Sequence, residues 1–288
     1  MRVLVTGAAG QLGQELCTLL ATEQHEVVAV DLDCDIASAS AVRSMLRETR
    51  PDVLVNCAAY TRVDEAETHG DDAYRVNALG ARVLAAECSD AYVRLCHVST
   101  DYVFDGEKDG PYHEWEAPHP VNVYGASKLA GELEVQRLCP DHLIVRTSWL
   151  FGAQGPNFVL TMLRRAAEGR ELAVVADQYG SPTWTGHLAP ALLRLLAAEM
   201  RGVVHVAGTG ETSWHGFAEA VMQSAGLSVA VRPLRTEEYP TAARRPRQTV
   251  LDCRVLGLIG HPPLPPWREG VDEYLRQRSA SLSTDARR

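Results

Sequence analysis

The stretch Arg2-Val-Leu-Val-Thr-Gly7-Ala-Ala-Gly10-Gln-Leu-Gly13 decides the fold. Its first residues form a short apolar run, which is typical of a strand buried in a parallel sheet, and glycine ends this run. The segment that follows, 11–20, carries leucines at helical spacing on one face. Strand, glycine turn and helix in this order form the context of a dinucleotide-binding turn. The alternative is a glycine turn that binds no ligand.

The three glycines have different tasks in such a turn. Gly7 permits the tight turn, Gly10 lets the backbone approach a pyrophosphate, and Gly13 lets helix and strand pack closely. The phosphates would lie on the free N–H groups of the helix N-terminus, where Gln11 and Leu12 form the first turn. We therefore predict that this turn holds the pyrophosphate of a nicotinamide cofactor.

Acidic and small residues follow the next two predicted strands. Asp31 has the position of an acid that binds the ribose hydroxyls of the adenosine half, and Asp35 and Ile36 could flank the adenine. These acids could equally be turn residues. Since the nearest arginine downstream lies within a predicted helix, no clamp for a 2′-phosphate is visible, and the sequence favours tolerance of NADH. Ala58 and Ala59 would let the backbone press against the cofactor ribose.

The segment Asn122–Lys128 places a phenol and an ammonium four residues apart. In a helix, Tyr124 and Lys128 lie on one face about one turn apart. A lysine so close favours the phenolate and lowers the tyrosine's pKa, and such a tyrosine can donate a proton to a carbonyl oxygen. Thr100 follows the fourth predicted strand, where its hydroxyl could hydrogen-bond the same oxygen.

Size and composition limit the classes of function. The chain has 288 residues, 46% of them hydrophobic, and a formal charge of −9 without a basic stripe, which argues against a nucleic acid partner. No apolar run is long enough to span a bilayer, and no export signal precedes the first strand. Seven cysteines without a C-x-x-C pair are typical of reduced thiols. We expect the protein in the cytoplasm.

Strand-like and helical runs alternate along the chain. This alternation predicts an α/β fold with a Rossmann-type, doubly wound parallel sheet. The predicted strands are 3–5, 27–30, 53–56, 94–98, 143–146 and 203–206, and the predicted helices are 11–20, 39–48, 71–87, 124–138 and 186–200.

The alternation lapses in two segments that are rich in turns and prolines. We therefore predict two domains. Residues 1–148 and about 185–207 form an NAD(P)-binding Rossmann domain, and residues about 149–184 and 208–276 form a smaller C-terminal substrate-binding domain. The polar residues 279–288 are expected to form a frayed tail.

The chain resembles the extended short-chain dehydrogenases/reductases, and within them the dTDP-4-dehydrorhamnose reductases, from residue 2 to about residue 271. Three of the shared motifs are far more specific than the glycine turn. The matching stretches are GAAGQLGQEL, NCAAYTRVDEAE, VSTDYVFDG, NVYGASKLAGE, VRTSWLFG, DQYGSPT and LPPWREGV.

This resemblance implies a catalytic set of Thr100, Tyr124 and Lys128. Tyr124 would donate the proton to the C4 carbonyl oxygen of a sugar, and Lys128 would hold the nicotinamide ribose. Trp149 would form an apolar wall against the deoxysugar. The further substrate-binding residues that it implies are Asp101, Tyr102, Asn157 and Arg247.

The resemblance also implies the reaction, which is NADPH- or NADH-dependent reduction of dTDP-4-dehydro-6-deoxy-L-mannose to dTDP-L-rhamnose, and a homodimer. The chain departs from the family at Thr249, where serine is usual. Some members hold magnesium through glutamates at a dimer contact. Glu15 has a suitable place, but no acidic partner cluster lies near residues 183–190, so we predict no required metal.

Three other functions stay open at this point. The same site could act as the 4-ketoreductase of another nucleotide deoxysugar. An epimerase or dehydratase of the extended family would need further acid and base groups. The regulatory subunit of methionine adenosyltransferase has a similar fold and sequence without this activity, so a non-catalytic binding subunit is a further alternative.

Overall fold

The structure is a computed structural model that describes the backbone of residues 1–285 and the side chains of residues 1–280. Strands and helices alternate through the first two thirds of this range. The strands are β1 (Arg2–Thr6), β2 (Glu26–Val30), β3 (Val53–Asn56), β4 (Arg94–Thr100), β5 (His142–Thr147), β6 (Leu150–Phe151), β7 (Leu172–Val175), β8 (Tyr179–Gly180), β9 (Thr183–Trp184), β10 (Gly202–His205), β11 (Thr212–Ser213) and β12 (Val231–Leu234). The α-helices are α1 (Gln11–Thr22), α2 (Ala39–Thr49), α3 (Val63–Ala66), α4 (Gly70–Tyr74), α5 (Ala81–Asp90), α6 (Val123–Leu138), α7 (Phe158–Ala167), α8 (Thr185–Ala197), α9 (Trp214–Ser224), α10 (Arg254–Leu258) and α11 (Trp267–Asp285).

Six strands form one parallel sheet in the order β2-β1-β3-β4-β5-β10. The α/β fold with a parallel central sheet is therefore confirmed. From β1 the chain first adds β2 on one side and then β3 on the other, so the strand order reverses between β1 and β3. In open α/β sheets, ligands bind outside the carboxyl ends of the strands at such a reversal. From the topology we therefore expect the ligand site at the loops that follow β1, β3 and β4.

Alternation along each strand supplies apolar side chains to both faces of the sheet. In β1, Val3 and Val5 pack with leucines of α1 and α8, whereas Leu4 packs on the opposite face with Leu46 and Leu84. A separate apolar cluster is built from α7, α9, α11 and the short strands between them. The long helices around the sheet therefore form because each buries one apolar face.

The predicted helix 71–87 is wrong in detail. The structure has α4, then a π-helical segment Arg75–Gly80, then α5. Within the π-helical segment the side chain of Asn77 turns inward: its Oδ1 accepts from the Tyr60 N–H at 2.8 Å, and its Nδ2 donates to the Tyr60 carbonyl at 3.0 Å and to Ser127 Oγ at 2.9 Å. These tertiary hydrogen bonds compensate for the locally wider helical turn. π-Helical turns of this kind are common near functional sites.

The stretch expected to be a frayed tail is helical over most of its length. α11 continues to Asp285 through most of the stretch expected to be a frayed tail, because that stretch contains neither glycine nor proline. Residues 286–288 of the predicted tail lie outside the described residues. In the part of the chain that the structure describes, no helix is both long and apolar enough to cross a bilayer.

Candidate active site

Thr100 and Tyr124 come together because the start of α6 packs on the turn that follows β4. Gly125 makes this packing possible, since a Cβ there would lie 2.1 Å from the Tyr102 carbonyl oxygen. Asn122 caps the helix by accepting from the Gly125 N–H at 2.8 Å. The ring of Tyr124 meets that of Tyr102 edge to face, with centroids 5.7 Å apart. The phenol therefore faces the carboxyl end of β4.

The pKa of Tyr124 is raised, which corrects the expectation that the neighbouring lysine lowers it. Burial is the largest cause, and a hydrogen bond with Thr100 opposes it. The Lys128 ammonium, which was expected to lower this pKa, lies close to a different acceptor, the Val98 carbonyl, at 2.7 Å. The phenol is therefore held in its protonated form, as a proton donor requires.

Lys128 is buried one helical turn from Tyr124. Its Nζ also lies 3.4 Å from Nε2 of the buried His97. Burial lowers the pKa of Lys128 to about 8, against the raising effects of Glu132 and Cys57. The predicted pair of phenol and amine on one face of a helix is thus present, and the buried His97 faces Lys128 and not the solvent.

Asp101 lies beside the two hydroxyls and is only 2% exposed. Thr100 Oγ1 donates to its Oδ1 at 3.0 Å, while Oδ2 has no hydrogen-bond partner among the described residues. Burial raises the pKa of Asp101 to about 7, and the neighbouring hydroxyls of Thr249 and Thr100 oppose this shift. A carboxyl of this kind is protonated in part near neutral pH. Thr249, where the family usually has serine, keeps a hydroxyl, which donates to the Tyr179 carbonyl at 3.3 Å.

The glycine turn forms a cradle whose shape depends on missing Cβ atoms. A Cβ on Gly7, which has a φ of +66°, would lie 2.5 Å from the Ala58 nitrogen, and one on Gly13 would lie 2.2 Å from the Gly7 carbonyl oxygen. No side chain caps α1 at Gly10, so the first N–H groups of the helix face outward. A pyrophosphate fits this arrangement.

The remaining residues predicted at the cofactor surround this turn. Gln11 donates from Nε2 to the Pro156 carbonyl at 3.3 Å, whereas its Oε1 is buried without a partner among the described residues. Leu12 packs its side chain into the core, so only its backbone can face a ligand. Ala58 and Ala59 lie half-buried at the carboxyl end of β3.

The predicted adenosine contacts are partly engaged within the protein. Asp31 Oδ2 accepts from the Ala9 N–H at 2.7 Å, which ties the end of β2 to the glycine turn. Asp35 pairs with Arg75 at 2.5 Å, and this hydrogen bond is the main reason why the pKa of Asp35 is lowered. Ile36 is buried against Gly80. Its predicted place beside the adenine is therefore limited to its exposed edge.

On the substrate side, Trp149 and Asn157 have different environments. The Trp149 ring stacks on that of Trp214, with centroids 3.5 Å apart. Asn157 caps α7: its Oδ1 accepts from the Leu160 N–H at 2.9 Å, and its Nδ2 donates to the Gly152 carbonyl at 2.9 Å. Since both ends of the amide are engaged, Asn157 orders the segment that follows Trp149.

Three arginines of the late loop each pair with an acid from a distant segment. Arg247 Nη2 lies 3.0 Å from Asp109 Oδ1, and this pair is exposed. It borders a cleft of about 210 Å³ that also includes Tyr179 and Gln248. The other two pairs, at 3.1 and 2.7 Å, are Arg244–Glu107 and Arg245–Asp64.

Sequence reasoning missed several residues that shape this site. Asn56 and His97 connect β1, β3 and β4 to Lys128, Ser127 receives the Asn77 amide, and Trp214 supports Trp149. A buried polar residue inside an apolar strand, as His97 is, was the one available signal. Burial raises the pKa of Glu15, and the nearby Thr185 hydroxyl opposes this shift. Within residues 1–280, no three His, Cys, Asp or Glu side chains gather as metal ligands.

Known proteins share the sequence as well as the fold. A model of the family described as RmlD substrate binding domain matches residues 1–280. The dTDP-4-dehydrorhamnose reductase of Burkholderia thailandensis is 43% identical over 96% of this chain and 98% of its own length. The chain belongs to this reductase family.

Two further relatives support the family assignment. The dTDP-4-keto-6-deoxy-D-glucose reductase of Streptomyces niveus is 42% identical over 94% of this chain and 96% of its own length. The crystal structure of the dTDP-4-dehydrorhamnose reductase of Bacillus anthracis, in complex with NADP, superposes with a TM-score of 0.94 and 42% identity, over 96% of this chain and 99% of that one. Membership of this family makes the chain an oxidoreductase.

Proposed function

We propose that this protein reduces the C4 keto group of dTDP-4-dehydro-6-deoxy-L-mannose to dTDP-L-rhamnose with NADPH or NADH, and that Tyr124 donates the proton. The observation that carries the proposal is the meeting of Thr100 and Tyr124 at the carboxyl end of β4, beside the reversal of strand order and its glycine cradle. Named relatives with this activity support the substrate.

The residues divide the chemistry as follows. The cofactor, when bound, supplies the hydride. Thr100 and Tyr124 hydrogen-bond the carbonyl oxygen, and the protonated phenol of Tyr124 transfers its proton there as negative charge develops. Lys128 holds the nicotinamide ribose. The cradle of Gly7, Gly10 and Gly13 holds the pyrophosphate, while Asp31 and Asp35 lie at the adenosine end.

Substrate binding rests on the aromatic and arginine-bearing segments. Trp149 forms the apolar wall for the deoxysugar, and Asp101 and Tyr102 border the carbonyl. We assign Arg247 to the diphosphate, because its guanidinium lies on an open cleft and a bidentate grip on phosphate suits arginine. Asn157 contributes by fixing the start of α7. The exposed partner of Arg247, Asp109, is displaced when the anion binds.

We further propose a division into two domains, a homodimer and a cytoplasmic location. The apolar clusters support the domain division in part: two lie against the large sheet, although one of them takes in Val255 and Leu256, and the third joins α7, α9 and α11. All seven cysteines are free thiols, as expected in a reducing compartment. The homodimer and the absence of a required metal rest on the family resemblance and on the sequence around Glu15.

Oxidation of NADPH and NADH with enzymatically generated dTDP-4-dehydro-6-deoxy-L-mannose tests the function. Tyr124→Phe keeps the ring and removes the proton donor, so we expect turnover to fall at least 100-fold with cofactor binding retained. Tyr92→Phe, at a fully exposed tyrosine (97%), is the matched control and should leave turnover unchanged. Turnover that survives in Tyr124→Phe would remove the proposed role of Tyr124.

A second candidate is reduction of another 4-ketosugar, because the Streptomyces niveus relative carries a different substrate in its name. Turnover of each of the two ketosugars separates the two candidates. Reduction of dTDP-4-keto-6-deoxy-D-glucose without prior epimerisation, with no turnover of the L-mannose compound, would favour the second.

A further inference from the structure

The side chain of Asn56 has a fixed orientation. Its Oδ1 accepts from the Ala58 N–H at 3.1 Å and from Thr6 Oγ1 at 2.7 Å. A backbone N–H can only donate, so the atom that faces it must be the amide oxygen. The amide nitrogen of Asn56 therefore faces Nδ1 of His97, at 3.0 Å.

This orientation determines the tautomer of His97. Because Asn56 donates to Nδ1, the neutral ring carries its proton on Nε2. Burial keeps the ring neutral by lowering its pKa well below the ordinary value, and the charge of Lys128 adds to this effect. The Nε2–H group consequently faces Nζ of Lys128, 3.4 Å away.

An N–H donor that faces Nζ can hydrogen-bond only one of the two protonation forms of a lysine. The ammonium has only donors, whereas the free amine has a lone pair that can accept. Nζ also lies 2.7 Å from the Val98 carbonyl, which accepts a hydrogen bond from either form. Only the free amine can therefore satisfy both neighbours.

We propose that Asn56 and His97 are positioning residues that hold an N–H donor on Lys128, stabilise its neutral amine and thereby set the alkaline limit of catalysis. The inference about the amine rests on the hydrogen bonds alone, and the inference about catalysis rests on the proposed function. Above the midpoint of Lys128, the ammonium that binds the ribose is lost, and the rate falls.

The other groups around Lys128 do not reverse this preference. Glu132, one turn further along α6, raises the pKa of Lys128, but its carboxylate is itself paired with Arg146 at 2.6 Å. Cys57, at the end of β3, is a buried thiol whose own pKa is raised by burial. With burial as the largest cause, the pKa of Lys128 lies at about 8, within reach of an activity profile.

The composition allows a direct test. The chain contains two lysines, Lys108 and Lys128, so Lys108→Arg leaves a single lysine side-chain signal for NMR. In that background and without substrate, the shifts of Cε and Nζ against pH give the midpoint of Lys128. We expect a midpoint near 8, and ring ¹⁵N shifts that place the His97 proton on Nε2.

Asn56→Asp reverses the direction of the hydrogen bond to His97. A carboxylate accepts from Nδ1–H, which moves the ring proton and leaves Nε2 as an acceptor for the ammonium. We expect the midpoint of Lys128 to rise by more than about one unit, which is a tenfold change in proton affinity. His97→Gln keeps the direction of both hydrogen bonds, because its side-chain carbonyl can accept from Asn56 and its N–H can donate to Lys128. We expect this variant to leave the midpoint of Lys128 unchanged.

The added charge of the aspartate raises the midpoint of Lys128 by itself. The control is therefore Asn56→Asp in a second background that carries His97→Leu. The proposal requires that Asn56→Asp raises the midpoint more with His97 than with Leu at that position. An equal rise in both, or a native His97 protonated on Nδ1, would overturn it. The alkaline limb of kcat should shift with the NMR midpoint. A shifted midpoint without reductase turnover would reject the proposed function while leaving the inference about the amine intact.

Discussion

The indole ring of Trp149 lies flat against that of Trp214, with centroids 3.5 Å apart and planes 6° from parallel. Trp149 has a φ of +46°, and a Cβ on Gly180 would lie 2.4 Å from its ring. The left-handed backbone at a bulky residue is costly and is kept because the surrounding packing fixes it. The proposed sugar wall is therefore rigid, and Trp214 is the residue that supports it.

Trp214→Leu should weaken substrate binding without affecting the cofactor. Since an aromatic stack contributes about 0.5–1.5 kcal/mol, we expect KM for the nucleotide sugar to rise roughly 2- to 10-fold, with the Kd for NADPH unchanged. Trp115→Leu, at a tryptophan that is 63% exposed, is the matched control. Steady-state kinetics and cofactor fluorescence titration provide both values. An unchanged KM would show that Trp149 needs no support.

The buried ion pair of Arg146 and Glu132 is expected to be critical for stability. The two side chains are 4% and 0% exposed, and Arg146 also lies over the Phe104 ring. Arg146→Met leaves the carboxylate buried and unpaired, so the free energy of unfolding should fall by about 3–5 kcal/mol. The double variant with Glu132→Leu should lose less, because neither charge then remains. Urea denaturation measures these changes.

The control for this pair is Arg232→Met, which breaks the exposed pair with Glu171. Its urea midpoint should stay close to that of the native protein. If Arg146→Met were as stable as this control, water or a rearranged partner would have to compensate the Glu132 carboxylate.

The sheet could be predicted because its information is local. Apolar runs such as 53–56, each bounded by polar or turn residues, mark strands that are buried on both faces, and β3 has those bounds. The glycine turn was predictable for the same reason, since strand, turn and helix are contiguous. Thr100 could be placed at the site because parallel strands end at one edge of a sheet, whereas its grouping with Tyr124 was implied by the family resemblance.

Other features depend on contacts between distant residues and carry no local signal. The π-helical turn exists because Asn77 reaches Tyr60 and Ser127, and the helical pattern of its own segment gives no indication of it. Protonation states were also beyond prediction, because burial decides them. Spacing alone suggested a lowered pKa for Tyr124, whereas the desolvated phenol has a raised one.

Gly131→Ala tests whether the contact between α6 and the π-helical segment positions the catalytic helix. A Cβ at Gly131 would lie 2.1 Å from the Asn77 carbonyl oxygen, which is backbone and cannot move aside cheaply. We expect α6 to shift outward, with a loss of about 1–3 kcal/mol in the free energy of unfolding and a lower kcat. Calorimetry and initial rates measure these effects.

Gly257→Ala is the matched control, since it is also helical and has no atom within 4 Å of the added Cβ. Its stability should be unchanged or slightly higher, because alanine favours the helix. Equal behaviour of the two variants would mean that the contact at Gly131 relaxes without moving α6.

Asp101 should make the stability of the protein depend on pH. Its folded pKa of about 7 lies above the ordinary value of 3.8, so the folded state favours the protonated carboxyl. The stability that it contributes is complete below about pH 4 and is lost as the pH rises through 7. Asp101→Asn keeps the shape and cannot ionise. We therefore expect the stability of the variant relative to the native protein to increase with pH, by at most about 3 kcal/mol between pH 5 and pH 8.

Urea unfolding of both proteins at pH 5 and pH 8 measures this difference, because other titrating groups cancel between them. Asp109→Asn removes the same charge at a carboxylate that is 97% exposed. We expect its free energy of unfolding to differ from that of the native protein by the same amount at pH 5 and at pH 8. A loss of stability in Asp101→Asn that is larger at pH 8 than at pH 5 would contradict the prediction. It would mean that the ionised carboxylate is the favoured form, and that Asp101 binds its neighbours Thr100 and Thr249 as an anion.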